Sequence, residues 1–345
     1  MIKNGEKAGN NKTKVSIIIP CRNEEKYISR CLDSLIGNSY PKDLMEVFII
    51  DGMSNDHTRK IVKRFIEKHS FVKLIDNYKK IVPVSLNIGI KKAKGELIIR
   101  IDVHSTYPSD YIEKLVLWNR KTEADNVGGI CITKPGANTV IGQVISYVLF
   151  HPFGVGNSYF RIGSKEPKYV DTVPFGCYRK EIFKKVGLFN EKLVRNQDLE
   201  FNLRLRKCGG RILLVPEILS YYYARSSLRA LAKNNFSNGY WVIYSTKFAK
   251  MPFSARHLIP FFFVFLICGS LILSFAFRIF FYLFVLIFSA YSIVNIFFSF
   301  EISFEKGIKY FIPAILSFAT LHFSYGFGSM KGLVKLLWDL FRKAT

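Results

Sequence analysis

Hydrophobic positions in the first two-thirds of the chain fall in short continuous runs, separated by segments of helical period. VSIIIP (15–20) is a β-branched run closed by proline, the pattern of a strand buried on both faces. Asn23 then predicts a helix cap with Glu24 and Glu25 in the first turn. Tyr27, Ile28, Cys31, Leu32, Leu35 and Ile36 recur on one face of that helix, and Gly37 ends it. VFII (47–50) predicts a second strand, followed by the turn-rich DGMSNDHT and a helix through Ile61, Val62, Phe65 and Ile66. VKLI (72–75) is a third strand. A helix over 84–94 stops at Gly95, and ELIIRI (96–101) is a fourth strand ending at Asp102. This alternation implies an α/β fold with a mostly parallel sheet and right-handed crossovers. Further on, the pattern predicts a strand near 127–132, a helix over 198–208 ended by Gly209-Gly210, and a strand RILLV (211–215).

Beyond residue 257 the pattern changes. The stretches 258–277, 279–300 and 310–330 hold 20, 22 and 21 residues without a charge. Each is long enough to cross a hydrocarbon core of ~30 Å, so about three transmembrane helices are expected. The chain carries 50 Lys plus Arg against 26 Asp plus Glu, a formal charge of +24, nearly all of it before residue 258. A basic part fused to an apolar part points to a lipid bilayer as partner, where anionic headgroups attract Lys and Arg. Nucleic acid is not expected, since no base-reading basic helix, zinc-finger spacing or RNA-binding aromatic motif is present. The six cysteines have no paired spacing and read as reduced thiols. The expected organisation is a loose polar tail (1–13), a catalytic domain (14–226), amphipathic interface helices (227–257), transmembrane helices (258–330) and an amphipathic C-terminal helix (331–345). Residues 227–250 also fit an ordinary packing helix. Lys247, Lys250 and Arg256 argue for a cytoplasmic catalytic domain in a multi-pass protein of the cell membrane. Three crossings would put the equally basic C-terminal tail outside, a conflict that a re-entrant or doubled segment would remove.

Ligands of open parallel sheets bind beyond the carboxyl ends of the strands. PCRNEE, DGMSND and DVH follow three such ends, and packing requires none of their polar residues. Singly, each has a plainer explanation: a cap, a turn, a surface acid. Their convergence on one sheet edge favours a binding site.

VSIIIPCRNEEKYISRCLDSL, IIDGMSNDHT, SLNIGIKKAKGELIIRIDVHS and GLFNEKLVRNQDLEFNLRLRKCGGRILLVP resemble, in order, the blocks of glycosyltransferase family 2. The resemblance spans roughly 14–225 and implies a GT-A nucleotide-sugar-binding domain followed by a helical membrane region, most like membrane glucosyltransferases of the succinoglycan type. It implies a nucleotide-sugar donor, with Pro20, Arg22, Asn23 and Glu24 along the nucleoside and Asp51 at the base. Gly52 stands where many relatives have a second acid. Asn87 has a donor-side role or is a helix-surface residue. Asp102-Val103-His104 occupies the place of the Asp-x-Asp metal motif, so Asp102 and His104 are expected to hold manganese or magnesium that offsets the diphosphate charge. Asp198 matches the catalytic base of an inverting transfer, and helix capping would explain it equally. Phe175, Gly176 and Cys177 resemble the stretch lining the acceptor pocket, with Gly176 letting backbone approach the ligand. Glu200 and Trp241 are placed on the acceptor side, and Arg225 at the leaving diphosphate or, equally, at a lipid headgroup. NNFSNGYW (234–241) lacks the Gln and Arg of the processive polymer synthases, so one sugar per acceptor is expected. The function implied is transfer of a hexose, glucose from UDP-glucose, to a polyprenyl-diphosphate-linked saccharide. The alternatives are a polyprenyl-phosphate sugar synthase and a non-catalytic assembly subunit. The oligomeric state is not readable.

Overall fold

The computed structural model describes residues 13–248 and 255–344. The predicted tail over 1–12 and Lys250 lie outside the described residues. Thr13, placed in that tail by sequence, is buried, and its carbonyl accepts the Tyr40 hydroxyl at 2.6 Å.

The predicted alternation is present as β1 (Val15–Cys21), α1 (Ile28–Ile36), β2 (Met45–Asp51), α2 (Thr58–Lys68), β3 (Val72–Asp76), α3 (Val82–Lys92) and β4 (Leu97–Arg100). Next come β5 (Ser105–Thr106), α4 (Tyr111–Lys121), β6 (Asn126–Lys134), α5 (Val140–Val148), α6 (Pro152–Val155) and α7 (Tyr159–Ile162). They are followed by β7 (Lys168–Tyr169), β8 (Cys177–Arg179), α8 (Ile182–Val186), α9 (Gln197–Lys207) and β9 (Ile212–Tyr223). The C-terminal helices are α10 (Leu228–Tyr244), α11 (Ile259–Leu273), α12 (Arg278–Lys306) and α13 (Phe311–Ala344).

The nine-stranded sheet has the order β3-β2-β1-β4-β8-β6-β9-β5, with β7 on β9. β1 lies between two parallel neighbours, pairing Ile17 with Val47 and with Ile99. Ile17, Ile19, Ile49, Ile50 and Ile99 are wholly buried, which is why these strands read as unbroken apolar runs. Parallel pairing holds for β3-β2-β1-β4; β8 runs antiparallel to both β4 and β6. The sheet is therefore mixed. β9 continues eight residues past the predicted end at Val215, because Ile218 and Ser220 keep the strand's alternate burial.

The helix after β1 starts later than predicted. Tyr27 occupies the cap without a side-chain bond, and Asn23 sits in the left-handed region at φ 55°. Its side chain is drawn to the neighbouring loop instead.

The chain divides into two compact units: residues 1–129, 166–189 and 204–220, and residues 130–165, 190–203 and 221–345. This differs from the boundary expected at 226, because α5 belongs with the C-terminal helices. Val144 and Val148 share an apolar cluster with Ala314 and Phe318, and Ile145 with Leu231 and Leu321.

Within the second unit α10 packs backbone to backbone on α13. A Cβ at Gly239 would come within 2.0 Å of the Tyr325 carbonyl, and one at Gly328 within 2.0 Å of the Phe236 carbonyl. Only glycine allows that approach, so residues 228–244 pack as a helix closely against α13. α13 runs unbroken through the predicted boundary at 330. The predicted C-terminal helix is its last part, where Asp339 accepts the Tyr244 hydroxyl at 2.8 Å. Among the described residues, α12 and the segment Ile308–Arg342 are long and apolar enough to cross a membrane. α11 has 15 residues, which rise only about 22 Å, short of the third full crossing expected. Phe281, Leu286, Phe297 and Phe304 stand exposed along α12, Phe304 at 82%, as suits contact with lipid.

Candidate active site

In the first unit, adjacency of β2, β1 and β4 brings the loops after them to one sheet edge, with Cys21 beside Asp51 in the register. The loops are stitched together. The Asn23 amide donates to Ser54 Oγ at 2.9 Å, and Asn23 Oδ1 accepts the Asn55 amide at 3.0 Å. The Glu24 amide donates to Thr58 Oγ1 at 2.7 Å. Asn23 and Met53 both take left-handed backbone, at φ 55° and 57°, the strained conformations that cluster at ligand-binding loops. Pro20 stands one residue before the end of β1, beside Ile50, and Arg22 is exposed. A Cβ at Gly52 would lie 3.2 Å from the Arg22 side chain, so the glycine in the second acid's place leaves room for that arginine.

Asp51 is wholly buried and its carboxylate is spent inside the protein. Oδ2 accepts the Ser54 amide at 3.0 Å and Arg59 Nη1 at 2.6 Å, while Oδ1 accepts the Ser54 hydroxyl. Arg59 also donates to Asp76 at 2.7 Å. Asp51 thus holds the second loop in shape, a different task from the base contact expected of it. Sequence reasoning missed Arg59 and Asp76; an arginine one turn into the helix after an acid-rich loop was the available signal.

Asp102 and His104 lie together. His104 donates its backbone amide to Asp102 Oδ1 at 3.1 Å and sets Nδ1 3.2 Å from the same oxygen. Its Nε2 is 3.2 Å from Glu24 Oε2, and the Tyr27 ring lies 4.7 Å away. Burial pushes the Asp102 carboxyl up, but the His104 hydrogen bond and charge, with Arg100's charge, outweigh it and hold the group below its ordinary value. The Asp102 side chain keeps 36% exposure, and both His104 bonds fall on Oδ1. A part-exposed carboxylate whose two His104 contacts fall on one oxygen suits a hard divalent cation. Both His104 ring nitrogens face acids, Asp102 and Glu24. No group of three or more His, Cys, Asp or Glu suited to a metal occurs among the described residues.

Other predicted residues are placed differently from expectation. Asn87 is buried; its Nδ2 donates to the Phe189 carbonyl at 2.9 Å and its Oδ1 accepts the Phe189 amide at 3.0 Å. These bonds make it a strut and not the expected donor contact. Phe175 is buried, at φ 48°, with its carbonyl accepting the Tyr111 hydroxyl at 3.2 Å. A Cβ at Gly176 would come within 2.2 Å of Asn126 Oδ1, so the glycine makes room for that asparagine and not for a ligand. Cys177 is wholly buried in β8 between β4 and β6, and burial pushes its thiol up. It packs in the core of the sheet.

In the second unit, Asp198 is half-buried in the first turn of α9, and its Oδ1 accepts the Leu199 amide at 3.0 Å. Asn196, at φ 59°, turns the chain into the helix, while Glu200 is buried. Arg195 donates to Asn234 Oδ1 at 3.1 Å and Asn238 Oδ1 at 2.7 Å. Trp241 stands among Tyr240 and Tyr244, with centroids 5.7 and 5.6 Å away. Arg225 lines a cavity in this unit.

The profile described as "Glycosyl transferase family 2" matches residues 16–187, the segment that holds the stitched loops and the Asp102 pair. The chain is 30% identical over 329 residues to a Methanococcus voltae protein, covering 93% of this chain and 97% of that one. The chain belongs to glycosyl transferase family 2. That relative is named dolichyl N-acetyl-alpha-D-glucosaminyl phosphate 3-beta-D-2,3-diacetamido-2,3-dideoxy-beta-D-glucuronosyltransferase. Succinoglycan biosynthesis protein ExoA of Rhizobium meliloti is 32% identical over 225 residues, 65% of this chain and 67% of that protein. Mannosyltransferase PcManGT from Pyrobaculum calidifontis, solved with GDP-Man and Mn2+, shares the fold at TM-score 0.59 and 17% identity, over 95% of this chain and 88% of that one. As a family 2 member the protein is a glycosyltransferase with a GT-A-like domain and C-terminal apolar helices.

Proposed function

We propose that the protein transfers one hexose from a nucleotide diphosphate donor, UDP-glucose first among them, to a polyprenyl-diphosphate-linked saccharide, with inversion. The observation that carries this is the stitched edge of the first unit, where the loops after β1, β2 and β4 gather Arg22, Glu24, Asp51 and Asp102. The dolichyl-phosphate-linked sugar in the Methanococcus relative's name, and helices long enough to reach a lipid acceptor, support the choice of acceptor.

Arg22, Asn23 and Glu24 line the donor, and Asp51, locked by Arg59 and Ser54, sets the loop facing it. Asp102 supplies the carboxylate for manganese or magnesium, and His104 keeps that carboxylate oriented and charged. When bound, the divalent ion offsets the negative charge of the departing nucleotide diphosphate. Asp198 takes the acceptor hydroxyl's proton as that oxygen displaces the diphosphate, a role that needs one carboxylate and no covalent intermediate. Its place in the first turn of α9 sets the carboxylate at the positive end of the helix dipole. The catalytic part is cytoplasmic: α12 and α13 form two crossings that return the basic tail to the side of Lys247 and Arg256.

Asp198→Asn is expected to lower kcat at least about 100-fold while leaving nucleotide binding within about twofold. Retained turnover removes Asp198 from its role. Chelation by EDTA is expected to stop transfer and to weaken donor binding in calorimetry. Turnover that continues in the chelator contradicts the role of Asp102.

A further inference from the structure

In the first unit, the loop after β4 is held by its backbone. The Asp102 amide donates to the Tyr107 hydroxyl at 3.1 Å. Its carbonyl accepts that hydroxyl and the Ser105 amide, each at 3.2 Å, with the Cys31 thiol at 3.8 Å. The loop after β1 is held as well, by the bonds of Asn23 and of the Glu24 amide to the second loop. The Glu25 amide adds a bond to Asp56 Oδ2 at 3.2 Å, and Glu25 Oε2 accepts the His57 amide at 3.0 Å. Both loops thus have bonds enough to keep their course without one between the side chains of Glu24 and His104.

What the backbone leaves free is the turn of the Asp102 carboxylate. The outer torsion of aspartate has no sharp preference, so its plane is set by its partners. His104 supplies two of them, the backbone amide and Nδ1, both on Oδ1. The outer torsion of a histidine is equally broad, and an imidazole holds a carboxylate only as steadily as the ring itself is held. Two residues of the first loop hold this ring. Glu24 Oε2 lies 3.2 Å from Nε2, and the Tyr27 ring lies 4.7 Å away with the planes 47° apart. The side chains of Glu24 and His104 keep only 17% and 20% exposure, so water competes weakly for the contact. Glu24, His104 and Asp102 form a row of acid, imidazole and acid that starts in the loop of Arg22 and Asn23. A carboxylate behind an imidazole is the usual means of fixing a ring beside a metal.

We infer that Glu24 is a positioning residue for the metal carboxylate: it fixes the His104 ring, and the ring fixes the plane of Asp102. Glu24 sits in the loop that lines the donor, but its carboxylate acts on the divalent ion's site, through His104. The inference rests on the metal role proposed above for Asp102 and deepens it.

The full chain, purified in detergent, is titrated with Mn2+ at saturating UDP, and free Mn2+ is counted by electron paramagnetic resonance. Glu24→Ala is expected to weaken Mn2+ binding about tenfold, the lower end for loss of an outer partner at a metal site. His104→Ala is expected to weaken it at least as much, and the double variant no further than His104→Ala alone, since the two residues act in series. Glu24→Gln, which keeps an oxygen for Nε2, is expected to recover most of the affinity. Should Glu24→Ala not fold, Glu24→Asp, which shortens the reach to Nε2, takes its place with the same expectation. Losses that add in the double variant overturn the inference, because Glu24 then acts without His104. So does a glutamine variant as weak as alanine. Titration of the wild type with UDP, in Mn2+ and in EDTA, separates this inference from the reading beneath it. Equal UDP affinity in both overturns the metal role of Asp102 together with the inference. A Mn2+-dependent wild type whose Glu24→Ala variant binds Mn2+ equally well overturns the inference alone.

Discussion

Asp51 and Arg59 show how a loop read as chemistry is first a problem in electrostatics. A carboxylate with no exposure is costly unless paired, and the Arg59 contact at 2.6 Å supplies the pairing. Arg59→Ala is therefore expected to destabilise the protein by about 2–3 kcal/mol, below the ~3–5 kcal/mol for breaking a fully buried pair, because Arg59 keeps 32% exposure. A thermal or denaturant midpoint unchanged from wild type would contradict it. The acids at the strand ends were legible because three polar loops follow neighbouring parallel strands and so converge on one sheet edge, although each alone reads as a cap, a turn or a surface acid. Arg59, Asp76 and Asn126 were not, since each fits an ordinary helix or strand position and gains its meaning from a partner distant in sequence. Gly176 was legible as a close approach, but sequence gave no sign that Asn126 is what approaches.

Helices and strands follow their local patterns more closely than their ends do. β1, β2, β3 and β4 were readable from apolar runs, whereas α1 starts late because Asn23 bonds to the second loop rather than to the helix. α13 hides the junction expected at residue 330, since a helix continues wherever no residue stops it. The join between α5–α6 and α12 carries a pH-sensitive contact. His151 Nδ1 accepts the Phe153 amide at 3.1 Å, and Nε2 lies 3.6 Å from Glu301. Burial lowers the His151 pKa below 6.5, against the opposing pull of Glu301 and Glu305. The folded state therefore prefers the neutral ring. Its contribution is whole above about pH 6.5 and is lost as pH falls through the depressed folded value. Stability measured from pH 7.5 to 5 is expected to fall on the acid side in the wild type and to fall less in His151→Gln. Parallel pH profiles for the two proteins would contradict the assignment.

Across the whole molecule, positive charge and apolar length work together. Lys and Arg concentrate in the segments before residue 258 and in the last turns of α13, with two long apolar helices between them. The two crossings proposed would put both basic regions on one face of the bilayer, in line with the charge rule. A reporter fused after residue 345 is expected to be cytoplasmic; an external reporter would mean a third crossing. The cavity of the second unit was beyond reach of the sequence, because its arginines come from stretches as far apart as 161 and 256. The decisive measurement is transfer itself: membranes holding the full chain, a labelled nucleotide sugar, and a polyprenyl-diphosphate-linked saccharide. The account predicts label in the extended lipid-linked saccharide for the wild type and almost none for Asp198→Asn. No lipid-bound label with any nucleotide sugar, or equal label in both proteins, would contradict it.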